Sequence, residues 1–198
     1  VNEEGFTALL AAASNGYLEV VNYLTIHGAK SEIVQVQNNL ITPENLFGSS
    51  REEVELQVDS TEMSVSEPFY ELISASIEGR LSVVNQLLTK GAQVNKTDDV
   101  GRSALMEASS FGRYGVVKSL LESGAKVNIT DNQKMTALMF ATLEGRERVV
   151  SLLLDWKADV NATDAEGVSS LMLAGNEGRT EIARLLIKHG AKINWQSK

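Results

Sequence analysis

Two histidines, three Asn-X-Thr triplets and a column of arginines are the residues whose types and spacing could do chemistry. His27 and His189 are the only imidazoles. A general base needs an orienting partner and a pocket. Both histidines instead end apolar helical stretches, where a cation complements the helix dipole. They are expected at opposite ends of the molecule, too far apart to share a metal or a triad. Asn95-Lys-Thr97, Asn128-Ile-Thr130 and Asn161-Ala-Thr163 match the glycosylation acceptor. They recur every 33 residues, which favours structural hydrogen bonding over sugar attachment. Arg80, Arg113, Arg146 and Arg179 keep the same step, with Glu78, Glu144 and Glu177 two positions ahead of three of them. A phosphate-binding ladder is one use of such a column. Mutual neutralisation, worth about 0–1 kcal/mol per surface pair, is the expected one.

No phosphate loop, zinc spacing or nucleophile motif is present. The chain has no cysteine, which excludes disulfides, thiolate zinc sites and cysteine nucleophiles and leaves the redox compartment open. No enzyme activity, cofactor or metal is expected.

These residues must be positioned by a chain of 198 residues, 43% hydrophobic and 22% charged, a soluble globular composition. No apolar run reaches the roughly 18 residues of a membrane helix, and no basic segment precedes Ala8–Ala13 to make it a secretory signal. The chain opens at Val1, so a targeting segment could have been cut away. The net charge of −8 is uneven. Residues 31–67 hold eight acids and one base, or −7, and the remainder holds 18 acids against 17 bases. A nucleic-acid binder needs a basic stripe to displace counterions, and there is none.

Self-similarity supplies the framework. Gly79, Gly112, Gly145 and Gly178 are spaced by 33, as are Leu72, Leu105, Leu138 and Leu171. Ala75, Ala108, Ala141 and Ala174 keep the step, as do Asn95, Asn128, Asn161 and Asn194. An earlier copy (Gly5, Leu9, Ala12, Gly16, Val20, Leu24, Gly28) lies 63 residues ahead of its counterparts. Each unit predicts two helices. In one, Ser103 caps a short helix carrying Leu105, Met106 and Ala108. A second helix over about 115–123 carries Val116, Val117, Leu120 and Leu121 at helical spacing. Gly124 then takes the left-handed conformation that ends a helix. One such pair cannot bury both faces alone and must stack on copies of itself.

The pattern resembles the ankyrin repeat. The family's Thr-Pro-Leu-His box appears as Thr7-Ala-Leu-Leu, Tyr70-Glu-Leu-Ile, Ser103-Ala-Leu-Met, Thr136-Ala-Leu-Met and Ser169-Ser-Leu-Met. Its Gly-Ala-Asp-Val-Asn ending appears from Gly91, Gly124, Lys157 and Gly190. The resemblance covers about 1–30 and 68–198. It implies an all-α solenoid of helix-turn-helix units joined by hairpin loops, five clear repeats and one degenerate. The expected array comprises 1–30, a degenerate acidic repeat or insertion at 31–67, then 68–100, 101–133, 134–166 and 167–198. The box proline and histidine are absent, so the family's hydroxyl–imidazole bonds cannot form. Lys157 stands at a glycine position, where a left-handed residue with a Cβ costs roughly 1 kcal/mol.

Within 31–67, Thr42-Pro43 reads as a helix start, and Ser50-Arg-Glu-Glu53 fits a capping box. Against a worn repeat, Val54, Leu56 and Val58 alternate as in a strand, so an acidic loop is the alternative. Solvated negative charge is the expected role of this stretch, with a docking surface for a basic partner or a gate as the sharper one.

The resemblance implies an intracellular (cytoplasmic or nuclear), non-catalytic module binding a protein or peptide on the concave surface of hairpin tips and first helices. Transferred by position, that surface offers apolar Phe69, Ile77, Val100, Phe111, Met135 and Leu143 with Arg102, bordered by Glu67, Glu78, Asp99 and Glu144. Large exposed apolar residues in one patch mark interaction sites. Ile77 and Leu143 are the first candidates to turn inward instead. The expected partner has apolar anchors and basic flanks; nucleic acid and membrane insertion are not expected. The alternative is a regulatory or substrate-recruiting segment of a larger enzyme, channel or ubiquitin-ligase adaptor. Val1 falls inside a hairpin, and the last unit keeps a full apolar second helix (Ile182, Leu185, Leu186, Ile187). The chain is therefore expected to be a monomer or a piece of a longer one, or to have that end covered.

Overall fold

The hydroxyls of Thr7, Ser103, Thr136 and Ser169 each accept a hydrogen bond from the backbone N–H three residues on, at 3.1–3.4 Å. Each caps a seven-residue helix, satisfying one of the orphan donors of a helix start. The missing box histidine is thus replaced by a purely local cap, and Met106, Met139 and Met172 at its place are buried.

The computed structural model describes residues 7–29 and 68–194. Among them are ten helices in five pairs: α1 (Ala8–Ser14) and α2 (Leu18–Ile26), α3 (Pro68–Glu78) and α4 (Leu81–Thr89), α5 (Ala104–Ser110) and α6 (Tyr114–Glu122), α7 (Ala137–Leu143) and α8 (Glu147–Asp155), α9 (Ser170–Asn176) and α10 (Thr180–Lys188). Short antiparallel bridges at Thr97–Ser103, Thr130–Thr136 and Thr163–Ser169 close the hairpin loops between units. The fold is therefore the expected all-α solenoid. The stretch 31–67 lies outside the described residues. Helix α3 departs from the pattern. Its box position holds Tyr70 rather than Ser or Thr, and the helix begins earlier, at Pro68, with proline in the first turn where its missing N–H costs nothing.

First helices pack on first helices and second helices on second helices, building one continuous core. Leu72, Leu105, Leu138 and Leu171 line up as its centre, each at most 2% exposed. Ala75, Ala108, Ala141 and Ala174 are fully buried beside them, small enough for neighbouring helices to approach closely.

The order of units in space differs from the order in the chain. The stack runs α3–α4, α5–α6, α7–α8, α9–α10, and then α1–α2: α1 packs on α9 and α2 on α10. The apolar second helix of the last unit is covered, with Ile182, Ala183 and Leu186 buried, and the cover is the chain's own first unit. This corrects the expectation for the histidines. His27 and His189 belong to adjacent units rather than opposite ends. Each places Nδ1 2.8 Å from the carbonyl four residues earlier, Tyr23 and Leu185 respectively. Among the described residues, no cluster of His, Asp or Glu could hold a metal, and no helix is long and apolar enough to cross a membrane.

Candidate protein-interaction surface

The hairpin tips are shaped by a column of aspartates. Oδ1 of Asp98 accepts the backbone N–H groups of Val100 and Arg102 at 3.1 and 2.8 Å. Asp131 does the same for Gln133 and Met135, and Asp164 for Glu166 and Val168. Two backbone donors on one carboxylate oxygen fix each turn and aim the residues after it. Burial raises the Asp164 carboxyl above the ordinary carboxylate value; the bonds from Val168, Glu166 and Gly167 oppose this, and the negative charge of Asp131 adds to it. The aspartates recur at the repeat step, a signal in the sequence that the concave-surface positions leave out.

Those triplets are structural, as their period suggested. Asn95 Nδ2 donates to the Gly124 carbonyl of the next unit at 3.0 Å, and its Oδ1 accepts the Lys126 N–H at 2.7 Å. Asn128 spans to Lys157 and Asp159 in the same way, and Asn161 to Gly190 and Lys192. The arginine column also ties unit to unit. Arg113 Nε donates to the Ile77 carbonyl at 2.8 Å, Arg146 Nε to Ser110 at 2.9 Å and Arg179 Nη2 to Leu143 at 3.4 Å. These carbonyls lie at the ends of the preceding first helices, where no intrahelical donor remains. The expected acid neutralisation is present at Arg80–Glu78 (2.8 Å) and Arg146–Glu144 (3.9 Å).

Of the apolar residues transferred to the concave surface, Val100 and Phe111 stand 55% and 46% exposed. Ile77, Met135 and Leu143 are half-buried, and Glu78, Asp99 and Glu144 are exposed. Phe69 corrects the expectation of an exposed anchor. It is 4% exposed in the core, with the Lys96 ammonium 5.0 Å from its ring centroid. Its unit starts its helix early, which carries Phe69 into the first turn instead of a hairpin tip. Arg102 remains 39% exposed at its side chain but is engaged within the array: Nη1 donates to Glu107 Oε1 at 3.0 Å, and the guanidinium lies 4.6 Å from the Phe140 ring of the next unit. This pairing explains how Glu107, 8% exposed, can sit within a first helix. Glu67 lies outside the described residues. Sequence reasoning overlooked exposed Tyr70, Leu81, Tyr114 and Trp156; three of the four start or end second helices, which the concave-surface template does not sample.

A family model described as ankyrin repeats (three copies) matches residues 72–164 and 128–197, and one described as ankyrin repeat matches residues 4–39. With the stacked helix pairs, this places the chain in the ankyrin-repeat family. Such repeats are in general protein–protein interaction modules and are typically non-catalytic. A search of curated proteins found no match.

Proposed function

We propose that the array binds a partner protein or peptide on the face made by its hairpin tips and first helices, across the units at 68–100, 101–133 and 134–166. The observation carrying this is the exposure of Val100 and Phe111 on the hairpin tip and first-helix end of successive units. Phe111 supplies an aromatic anchor and Val100 apolar contact area. Glu78 and Glu144 are paired with Arg80 and Arg146, so the selection of a basic flank rests mainly on Asp99. The half-buried Met135 extends the footprint towards the fourth unit in the chain. Phe69 contributes by holding the first helix of its unit in the core, not by touching the partner.

The experiment is affinity capture from a lysate with the chain and with its Val100→Ser/Phe111→Ala variant. Loss of the captured protein with unchanged helical circular dichroism supports the footprint. Capture undiminished by the double substitution rules it out.

A further inference from the structure

The joint between the last unit and the first is built from the same parts as the internal joints, although its two sides are far apart in the chain. Asn194 Nδ2 donates to the Gly28 carbonyl at 3.2 Å, repeating the Asn161–Gly190 rung. The Arg184 guanidinium also lies 4.3 Å from the Tyr23 ring across this joint, a contact with no counterpart at the same register in the internal joints. Tyr17 fills the place taken elsewhere by arginine, against Gly178: a Cβ added there would stand 2.6 Å from Tyr17 Cδ1. Asn15 Nδ2 donates to Asn176 Oδ1 at 3.1 Å.

A glycine is also particular to this joint. The register that holds Ala13, Ser76, Ser109 and Thr142 in α1, α3, α5 and α7 holds Gly175 in α9. A Cβ at Gly175 would lie 2.6 Å from the Ala8 carbonyl oxygen. Glycine inside a helix sacrifices about 1 kcal/mol relative to alanine, and what it admits here is the backbone of the first unit.

The separation in sequence between the two sides permits the joint to form within one molecule or between two. From Ala29 to Pro68 the chain reaches on the order of 120 Å when extended. The four inter-helix spacings it must cross amount to about 40 Å. The two faces are also different from one another, a heterologous pair. We propose that the outer face of 167–198 is a docking site for an ankyrin unit, occupied in one molecule by residues 7–29 and open to the same unit of a second copy when its own is displaced.

Two full-length variants test this by complementation. Gly175→Glu blocks the face and leaves the first unit intact; its side chain meets solvent once α1 has left. Ala8→Glu/Ala12→Glu disables the first unit and leaves the face bare. Each variant alone should run as a monomer by light scattering, and an equimolar mixture should form a species of twice the monomer mass. If Gly175→Glu lowers helical content beyond loss of α1 and α2, Arg184→Glu/Asn194→Gly replaces it, because both side chains can change without disturbing α9. A mixture that stays monomeric at concentrations approaching the millimolar effective concentration of a tethered unit overturns the proposal. So does a dimer formed equally well by either variant alone.

Discussion

The carboxamide of Asn194 donates to the carbonyl of Gly28, 166 residues earlier in the chain, at 3.2 Å. It is the fourth rung of a ladder whose other rungs, from Asn95, Asn128 and Asn161, each reach 29 residues forward. The rungs differ in what they hold, and this separates their mutants. Replacing Asn128 by alanine removes two exposed hydrogen bonds between central units and should lower global stability by about 0.5–1.5 kcal/mol, read as an earlier urea midpoint. Asn194→Ala should leave that midpoint nearly unchanged while amide exchange accelerates in α1 and α2 alone. Equal effects of the two substitutions would show that the first unit is no peripheral element.

Two lysines sit in left-handed backbone: Lys157 with φ 65° and Lys134 with φ 60°. A Cβ there costs roughly 1 kcal/mol. Lys157→Gly and Lys134→Gly should each raise the melting temperature by several degrees in differential scanning calorimetry, and the pair should be additive because the sites lie in different loops. An unchanged or lower melting temperature for Lys157→Gly would contradict the assignment of strain.

Leu138 has no exposed surface and lies at the middle of the leucine column. Leu138→Ala should cost about 2–5 kcal/mol. In a stack, the loss acts through both neighbouring joints, so chemical denaturation should become less cooperative as well as earlier. A small loss with an unchanged slope would mean that the column is not the common core.

Asp164 carries a pH signature. Its folded carboxyl is raised above the ordinary value, first by burial and then by the charge of Asp131. Between the unfolded and the folded value, the native state binds more protons than the unfolded one, so this group's contribution to stability falls as pH rises through that window. Asn keeps the oxygen that accepts from Val168 and Glu166 and removes the charge. The stability of Asp164→Asn relative to the parent should therefore be greatest at neutral pH and decline as pH drops through the acid range. A difference independent of pH would refute the burial cause.

Much of this architecture is legible in one sequence because a repeat writes each contact several times. The period of 33 gave the helices, their caps, the leucine column and the structural use of the asparagines. It could not give the position of 1–30. Register states which surfaces of a unit match, and every unit of the array presents matching surfaces, so the choice of the 167–198 face depends on packing details such as Gly175 beneath the Ala8 carbonyl. The candidate surface was less legible for the same reason. Position in a template places Phe69 and Arg102 on the surface, whereas a helix beginning at Pro68 buries Phe69 and a buried Glu107 requiring a cation engages the partly exposed Arg102.

The seating of the first unit on the last is tested most directly by a distance. The chain has no cysteine, so spin labels placed at Asn22→Cys and Lys188→Cys report on two exposed positions of α2 and α10 alone. Electron–electron double resonance, with the labelled chain diluted into unlabelled protein, should return a narrow distribution of one inter-helix spacing, about 8–10 Å, plus the label arms. A distribution centred at about 40 Å or beyond, as stacking in chain order requires at four or more spacings, would contradict it.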